Sequence, residues 1–126
     1  MALEDELLAI ERGFWLDGED FFLANVDEKC LLVFPQMGQM VGSFTREQVA
    51  ATAQPTNRWR DLGISGTHLA ALDSDVALLS YRADVTRFDG MPYRALVSSA
   101  YVRRYGMWKL AFHQHSPLAA GDRAPG

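Results

Sequence analysis

The sequence holds one cysteine, three histidines and no apolar run that approaches the roughly 20 residues of a membrane span. A lone cysteine, Cys30, excludes an internal disulfide. It sits in the apolar run from Cys30 to Phe34 with Lys29 as its basic neighbour, which reads as a small buried hydrophobe rather than a reactive nucleophile. The histidines have neither His-x-x-x-His nor Cys-x-x-Cys spacing, so the chain is expected to need no metal and no cofactor. A nucleophilic triad, a phosphate loop and a dinucleotide motif are likewise missing. Basic residues number 12 against 16 acidic ones, for a net charge of −4, and lie in ones and twos rather than in a stripe, which disfavours a nucleic-acid partner. Glu4, Asp5 and Glu6 stand where a signal peptide would carry positive charge. The expectation is a cytoplasmic protein with no membrane partner.

What is present is ordinary globular composition: 126 residues, 48% hydrophobic and 22% charged. One domain over residues 1–118 is expected, followed by a loose tail rich in Gly, Ala and Pro over 119–126. Leu3, Leu7, Ile10 and Phe14 recur at helical spacing behind an acidic first turn, predicting a helix to about Leu16. Asp17 and Gly18 then break and cap, and Phe21, Phe22 and Val26 mark a second short helix. Lys29 to Phe34 and Gln39 to Val41 predict a hairpin across Met37-Gly38. Thr45 with Gln48 three residues later is a capping box for a third helix reaching about Ala53, and Gln54 to Asn57 reads as loop. From Arg58 onward, turn signals at Asp73 to Asp75, Asp89-Gly90 and Tyr105-Gly106 divide the chain into four long strands. Helices first and a meander afterwards predict an α+β fold, with helices on one face of a curved antiparallel sheet that leaves a cone-shaped space.

The segment from Tyr93 to Leu118, YRALVSSAYVRRYGMWKLAFHQHSPL, carries a strand ending in Arg-Arg, a tight turn, then Trp-Lys-Leu and a closing His-Gln-x-Ser-Pro. With Phe14-Trp15, Val33 to Pro35 and Ser80 to Arg82, it resembles the nuclear transport factor 2-like superfamily over nearly the whole chain. Within that group it is most similar to a bacterial SnoaL-like branch of unknown function, related to the calcium/calmodulin-dependent kinase II association domain. The resemblance implies a cystatin-like cone that hosts isomerases, cyclases, dehydratases, binding modules or oligomerisation domains in different members. In the kinase association domain, basic residues matching Arg82 and Ser99 line the cone, so one cation remains here and the other is lost. Ketosteroid isomerase-like members use a tyrosine on the first helix, where this chain has Phe14 and Trp15, so that mechanism is not expected.

Candidate site residues follow from strand pairing. A two-residue turn at Tyr105-Gly106 pairs Arg104 with Met107, Tyr101 with Leu110 and Ser99 with Phe112. One face then carries Val97, Ser99, Tyr101, Trp108, Leu110, Phe112 and Gln114, and the other carries Ser98, Ala100, Ala111 and His113. A four-residue loop from Asp89 to Pro92 adds Ser80, Arg82 and Asp84 to the first face, whereas a one-residue slip substitutes Tyr81 and Ala83. The mixture of rings and polar groups makes the first face the concave one. The ligand-binding set is Trp15, Phe34, Trp59, Arg82, Ser99, Tyr101, Phe112 and Gln114, with Asp84 as the candidate general base. Arg82 and Asp84 would pair at the cone mouth, where the cation depresses the carboxyl and works against acid/base use. His113, His115 and His68 read as structural or interfacial.

Three functions remain open at this point. The first is a pocket for a small, partly apolar molecule, carboxylated if Arg82 is its anchor. The second is an isomerase, cyclase or dehydratase that uses Asp84 or a histidine. The third is an interaction domain, a homodimer formed through the convex face at Ala83, Ser98, Ala100 and Ala111.

Overall fold

A computed structural model describes residues 2–34, 40–54 and 59–119. The Met37-Gly38 turn, most of the 54–57 loop and nearly all of the predicted tail lie outside the described residues. Helix α1 (Leu3–Leu16) begins with Glu4, Asp5 and Glu6 in its first turn, where carboxylates oppose the partial positive charge of unpaired amides. Its buried stripe is Leu7, Glu11, Phe14 and Trp15, the i, i+4, i+7, i+8 positions of one helix face. Helix α2 (Glu19–Asn25) turns back after Gly18 and packs Phe22 edge-on against Phe14 at 4.9 Å.

Strand β1 (Val26–Phe34) pairs antiparallel with β2 (Met40–Thr45), and α3 (Arg46–Ala50) starts on the expected capping box. Thr45 Oγ1 accepts from the Gln48 amide at 3.2 Å, and Gln48 Oε1 accepts from the Thr45 amide at 2.9 Å. The meander follows as β3 (Arg60–Asp73), β4 (Val76–Thr86), β5 (Pro92–Arg104) and β6 (Met107–Pro117). The six strands form one sheet in the order β2-β1-β6-β5-β4-β3, antiparallel throughout except where β1 runs parallel to β6. That parallel join carries the helical N-terminal segment across the concave side, where α1 reaches β3. The architecture is the expected α+β arrangement of a curved sheet with N-terminal helices. No helix among the described residues is long and apolar enough to cross a membrane.

Two local features decide which side chains enter the cone. The turn at Tyr105-Gly106 has φ of 53° and 79°, the paired positive values of a type I′ hairpin, and Arg104 faces Met107 as expected. The register then shifts: Tyr101 pairs with Leu110, but Ala100 pairs with Phe112, which leaves Ala111 as an extra residue on β6. Beyond that bulge every β6 side chain changes face. Ser99 therefore opposes His113, not Phe112.

The β4-β5 loop makes the second correction. Thr86 pairs with Pro92 and the Arg87 amide donates to the Met91 carbonyl at 2.8 Å, so the loop is Phe88 to Gly90, with Gly90 at φ 86°. Three loop residues with a left-handed glycine replace the expected four. Tyr81 consequently faces Val97 and Ala83 faces Ala95, both pairs buried, while Arg82 and Asp84 point to the outer face. The inward residues are those of the slip alternative, but the register lies three residues from the expected one, with Arg82 opposite Leu96 and not Ser99.

Candidate functional site

Glu11 lies at the centre of the cone with no solvent exposure. Helix α1 places it four residues after Leu7 and four before Trp15, in the middle of the buried stripe, and the strands opposite meet it with hydroxyls. Tyr81 donates to Oε1 at 2.5 Å and Tyr101 donates to Oε2. Burial pushes the Glu11 carboxyl above its ordinary value, and the nearby Tyr101, Tyr81 and Ser99 hydroxyls pull it partly back. Burial and the neighbouring carboxyl hold both phenols well above the usual tyrosine value, so they remain donors. Trp15 Nε1 donates to Tyr81 Oη at 2.9 Å, which fixes the ring that holds Glu11.

The bulge at Ala111 delivers two histidines to the same space. His113 Nδ1 is 2.6 Å from Ser99 Oγ and 3.8 Å from Glu11 Oε1. His113 Nε2 is 3.1 Å from His115 Nε2, and His115 Nδ1 is 3.1 Å from Tyr93 Oη. Both imidazoles are buried. Desolvation lowers His113 to about 4 and lowers His115 well below its ordinary value, with the neighbouring ring adding to the second effect. Both are neutral at pH 7, so of the two nitrogens facing each other one donates and the other accepts. Tyr93 is half-buried and its phenol is raised to about 12 by burial.

A cavity of about 60 Å³ opens beside this network, walled by Phe14, Trp15, Phe34, Trp59, His113 and His115. Trp15 stacks on His115 with centroids 4.9 Å apart and planes 11° apart, and Trp59 meets Trp15 edge-on at 5.2 Å. Phe34 covers the imidazoles from β1, at 5.6 Å from His113 and 4.6 Å from His115. The volume admits a few water-sized groups. Among the described residues, no lysine or arginine lines it.

The residues singled out from sequence therefore divide. Trp15, Phe34 and Trp59 line the cavity, and Ser99 and Tyr101 belong to the polar network behind it. Phe112 and Gln114 lie on the outer face, displaced by the bulge, and His113 and His115 stand in their place. Arg82 and Asp84 do form an ion pair, Nε to Oδ2 at 3.0 Å and Nη2 to Oδ1 at 3.2 Å, joined by Arg94 at 3.4 Å. That pair sits on the outer face, outside the cone mouth, so neither Arg82 as an anchor nor Asp84 as a base can reach a ligand in the cavity. Ala83 is buried inside rather than displayed on the convex surface. Cys30 is buried with its thiol pushed up to about 12, mainly by desolvation. Glu11 is not among the residues singled out from sequence, although its spacing of four residues from both Leu7 and Trp15 places it on the apolar stripe of helix α1.

No family model matches the chain, and no curated protein sequence matches it. Solved structures do. A nuclear transport factor 2-like protein from Cytophaga hutchinsonii superposes with a TM-score of 0.74 at 13% identity, over 94% of this chain and 100% of its own. A candidate ketosteroid isomerase from Parabacteroides distasonis gives 0.72 at 12% identity, over 96% of this chain and 92% of its own. A candidate calcium/calmodulin-dependent kinase II association domain from Exiguobacterium sibiricum gives 0.71 at 18%, over 93% and 92%. At these identities the likeness shows the fold alone, which is nuclear transport factor 2-like.

Proposed function

We propose that the chain is a small-molecule-binding domain whose ligand sits in the cone among Trp15, Phe34 and Trp59, against the edge formed by His113 and His115. The observation that carries this reading is the placement of a carboxyl, a serine and two histidines inside an otherwise aromatic core beside an open cavity. Burying those groups costs free energy that an apolar core of equal volume avoids, even when all are hydrogen-bonded. Flat walls and neutral donors and acceptors suit a small planar molecule bearing a carbonyl or hydroxyl oxygen. With Arg82 outside the cone, a carboxylated ligand loses its anchor. The test is a thermal-shift and native mass-spectrometry screen against planar carbonyl compounds, with matched carboxylates as a control. Stabilisation by the neutral compounds that Trp59→Ala abolishes supports the reading; stabilisation only by carboxylates, or none, overturns it.

A second reading, homodimerisation, is favoured by one feature of the outer face. Leu31, Phe112, Ala100, Leu78 and Ala70 are consecutive cross-strand partners from β1 to β3, an apolar row spanning five strands. Leu31 and Leu78 are 45% and 42% exposed, high for leucines at a sheet centre. A second copy laid across this row would cover it. Sedimentation of the parent should show a dimer and Leu78→Glu a monomer; a monomeric parent at micromolar concentration ends the idea.

A further inference from the structure

On a helix, two imidazoles can share a metal ion when they stand four residues apart; on a strand, where alternate side chains share a face, the matching spacing is two. His113 and His115 have that spacing on β6, and the Ala111 bulge turns both into the cone. Their Nε2 atoms lie 3.1 Å apart, and both rings line the cavity with Trp15, Phe34 and Trp59. A ligating imidazole is typically oriented by a hydrogen bond at its second nitrogen. Both rings here have one: His113 Nδ1 is 2.6 Å from Ser99 Oγ, and His115 Nδ1 is 3.1 Å from Tyr93 Oη. Trp15, stacked within 11° of the His115 plane, fixes that ring further.

The distances fit a shared ion. Metal–nitrogen bonds of about 2.05 Å across the 3.1 Å gap would meet at about 98°, between the right angle of a square-planar or octahedral shell and the tetrahedral angle. A straight Nε2–H···Nε2 bond would place the ring centres about 5.4 Å apart, one gap plus two ring radii, whereas they are 4.9 Å apart with planes 69° from each other. The ring axes are therefore bent at the gap, as they must be if both lone pairs are to meet beside it. Two imidazoles converging on one ion at that angle would have centres about 4.8 Å apart.

We infer that His113 and His115 form a two-histidine chelate for a borderline divalent cation, of the zinc and copper class, held at the aromatic cavity through both Nε2 atoms. The inference does not require the small-molecule reading. Among the described residues no third histidine, cysteine, aspartate or glutamate joins the pair, so water or the oxygen of a small bound molecule completes the shell. Imidazole nitrogen suits Cu²⁺, Ni²⁺ and Zn²⁺, whereas Mg²⁺ and Ca²⁺ prefer oxygen. Binding forms two metal–nitrogen bonds. The one hydrogen between the two Nε2 atoms moves to Nδ1 of its own ring, so both rings end as Nδ1–H tautomers that donate to Ser99 Oγ and Tyr93 Oη, and nothing is oxidised or reduced. The Glu11 carboxyl, with Oε1 3.8 Å from His113 Nδ1, stands behind that ring as an acidic group near the ion's charge.

The test is a calorimetric titration of the full chain with Zn²⁺ at neutral pH after chelator treatment, read alongside nitrogen spectra of histidine-labelled protein. The expected result is one ion per chain, with the Nε2 resonances of His113 and His115 shifted, both rings in the Nδ1–H form, and His68 unchanged. Mg²⁺ should produce no shift, and Cu²⁺ should bind more tightly than Zn²⁺. His115→Phe, which keeps a ring against Trp15, should remove binding, and His68→Ala should leave it intact. Ser99→Ala should weaken it about tenfold, as the loss of a supporting hydrogen bond does. Absence of Zn²⁺ uptake, shifts confined to one ring, or uptake that survives His115→Phe would overturn the chelate. Should His115→Phe fail to fold, the parent spectra decide, because an ion bound elsewhere leaves both Nε2 resonances in place. A ligand screen that fails while Zn²⁺ binds removes the small-molecule reading and leaves the ion site standing; ligand stabilisation without Zn²⁺ uptake does the reverse.

Discussion

Both faces of strands β4 to β6 carry polar side chains but put them to opposite use. On the outer face, Arg82, Asp84 and Arg94 share an ion pair that water can reach, Asp84 being 43% exposed. On the inner face, Ser99, Tyr81, Tyr101, His113 and His115 surround a carboxylate from which water is excluded. A charge pair in contact with solvent exchanges one set of favourable interactions for another and contributes little. A carboxyl taken fully out of water depends on each donor aimed at it. Chemistry is therefore sought where polarity is costly, and the more obvious ion pair is the less informative one.

The contrast can be broken most severely at Trp15. Trp15→Ala removes the donor to Tyr81, the stack on His115 and a large core volume together, and should destabilise the fold by about 3–5 kcal/mol in a urea titration. A loss near 1 kcal/mol would mean that the ring is not integral to the inner network.

Acid sharpens the comparison next. The histidines take up protons more readily unfolded than folded, so the stability they contribute is present above about pH 6.5 and lost as pH falls towards about 4. Glu11 acts in the opposite sense: its raised folded value makes its contribution complete below about 4.5 and lost as pH rises. The two trends oppose one another in the parent. In Glu11→Gln the histidine trend should stand alone, with a loss of about 3 kcal/mol from His113 across that window. Parallel stability profiles for parent and variant would contradict the raised value of Glu11, and a variant that loses no stability across that window would contradict the buried, unprotonated state of the imidazoles.

On the outer face the expected effects are small. Arg82→Ala and Asp84→Asn should each shift stability by less than about 1 kcal/mol, and less still at high salt. They should leave ligand-induced stabilisation unchanged. A large loss of binding in either would return the site to the outer face.

How far these contrasts could be read beforehand varies along the chain. The first helix, the Thr45 capping box and the Tyr105-Gly106 turn were legible because each depends on residues within four positions of one another. Val26, expected in the second helix, instead opens β1, and α3 stops at Ala50, short of the expected Ala53. Inward placement of Val97, Ser99 and Tyr101 was legible too, since β5 alternates regularly and the turn beside it sets the count. The identity of the site was not. A bulge at Ala111 and a loop one residue shorter than expected each reverse the parity of a strand, and nothing in the composition of either segment marks the change.

Hydrophobic period, capping and turn chemistry are local properties of the chain, and they specify the order of helices and strands and the segregated α+β layout. Only the tertiary structure decided that the histidines enter the cone, that the arginine–aspartate pair leaves it, and that Glu11 meets two tyrosines 70 and 90 residues away. The physical reason is that a side chain's face depends on a count of residues between paired strands, and a single unpaired residue inverts the result without altering the energy of any local segment.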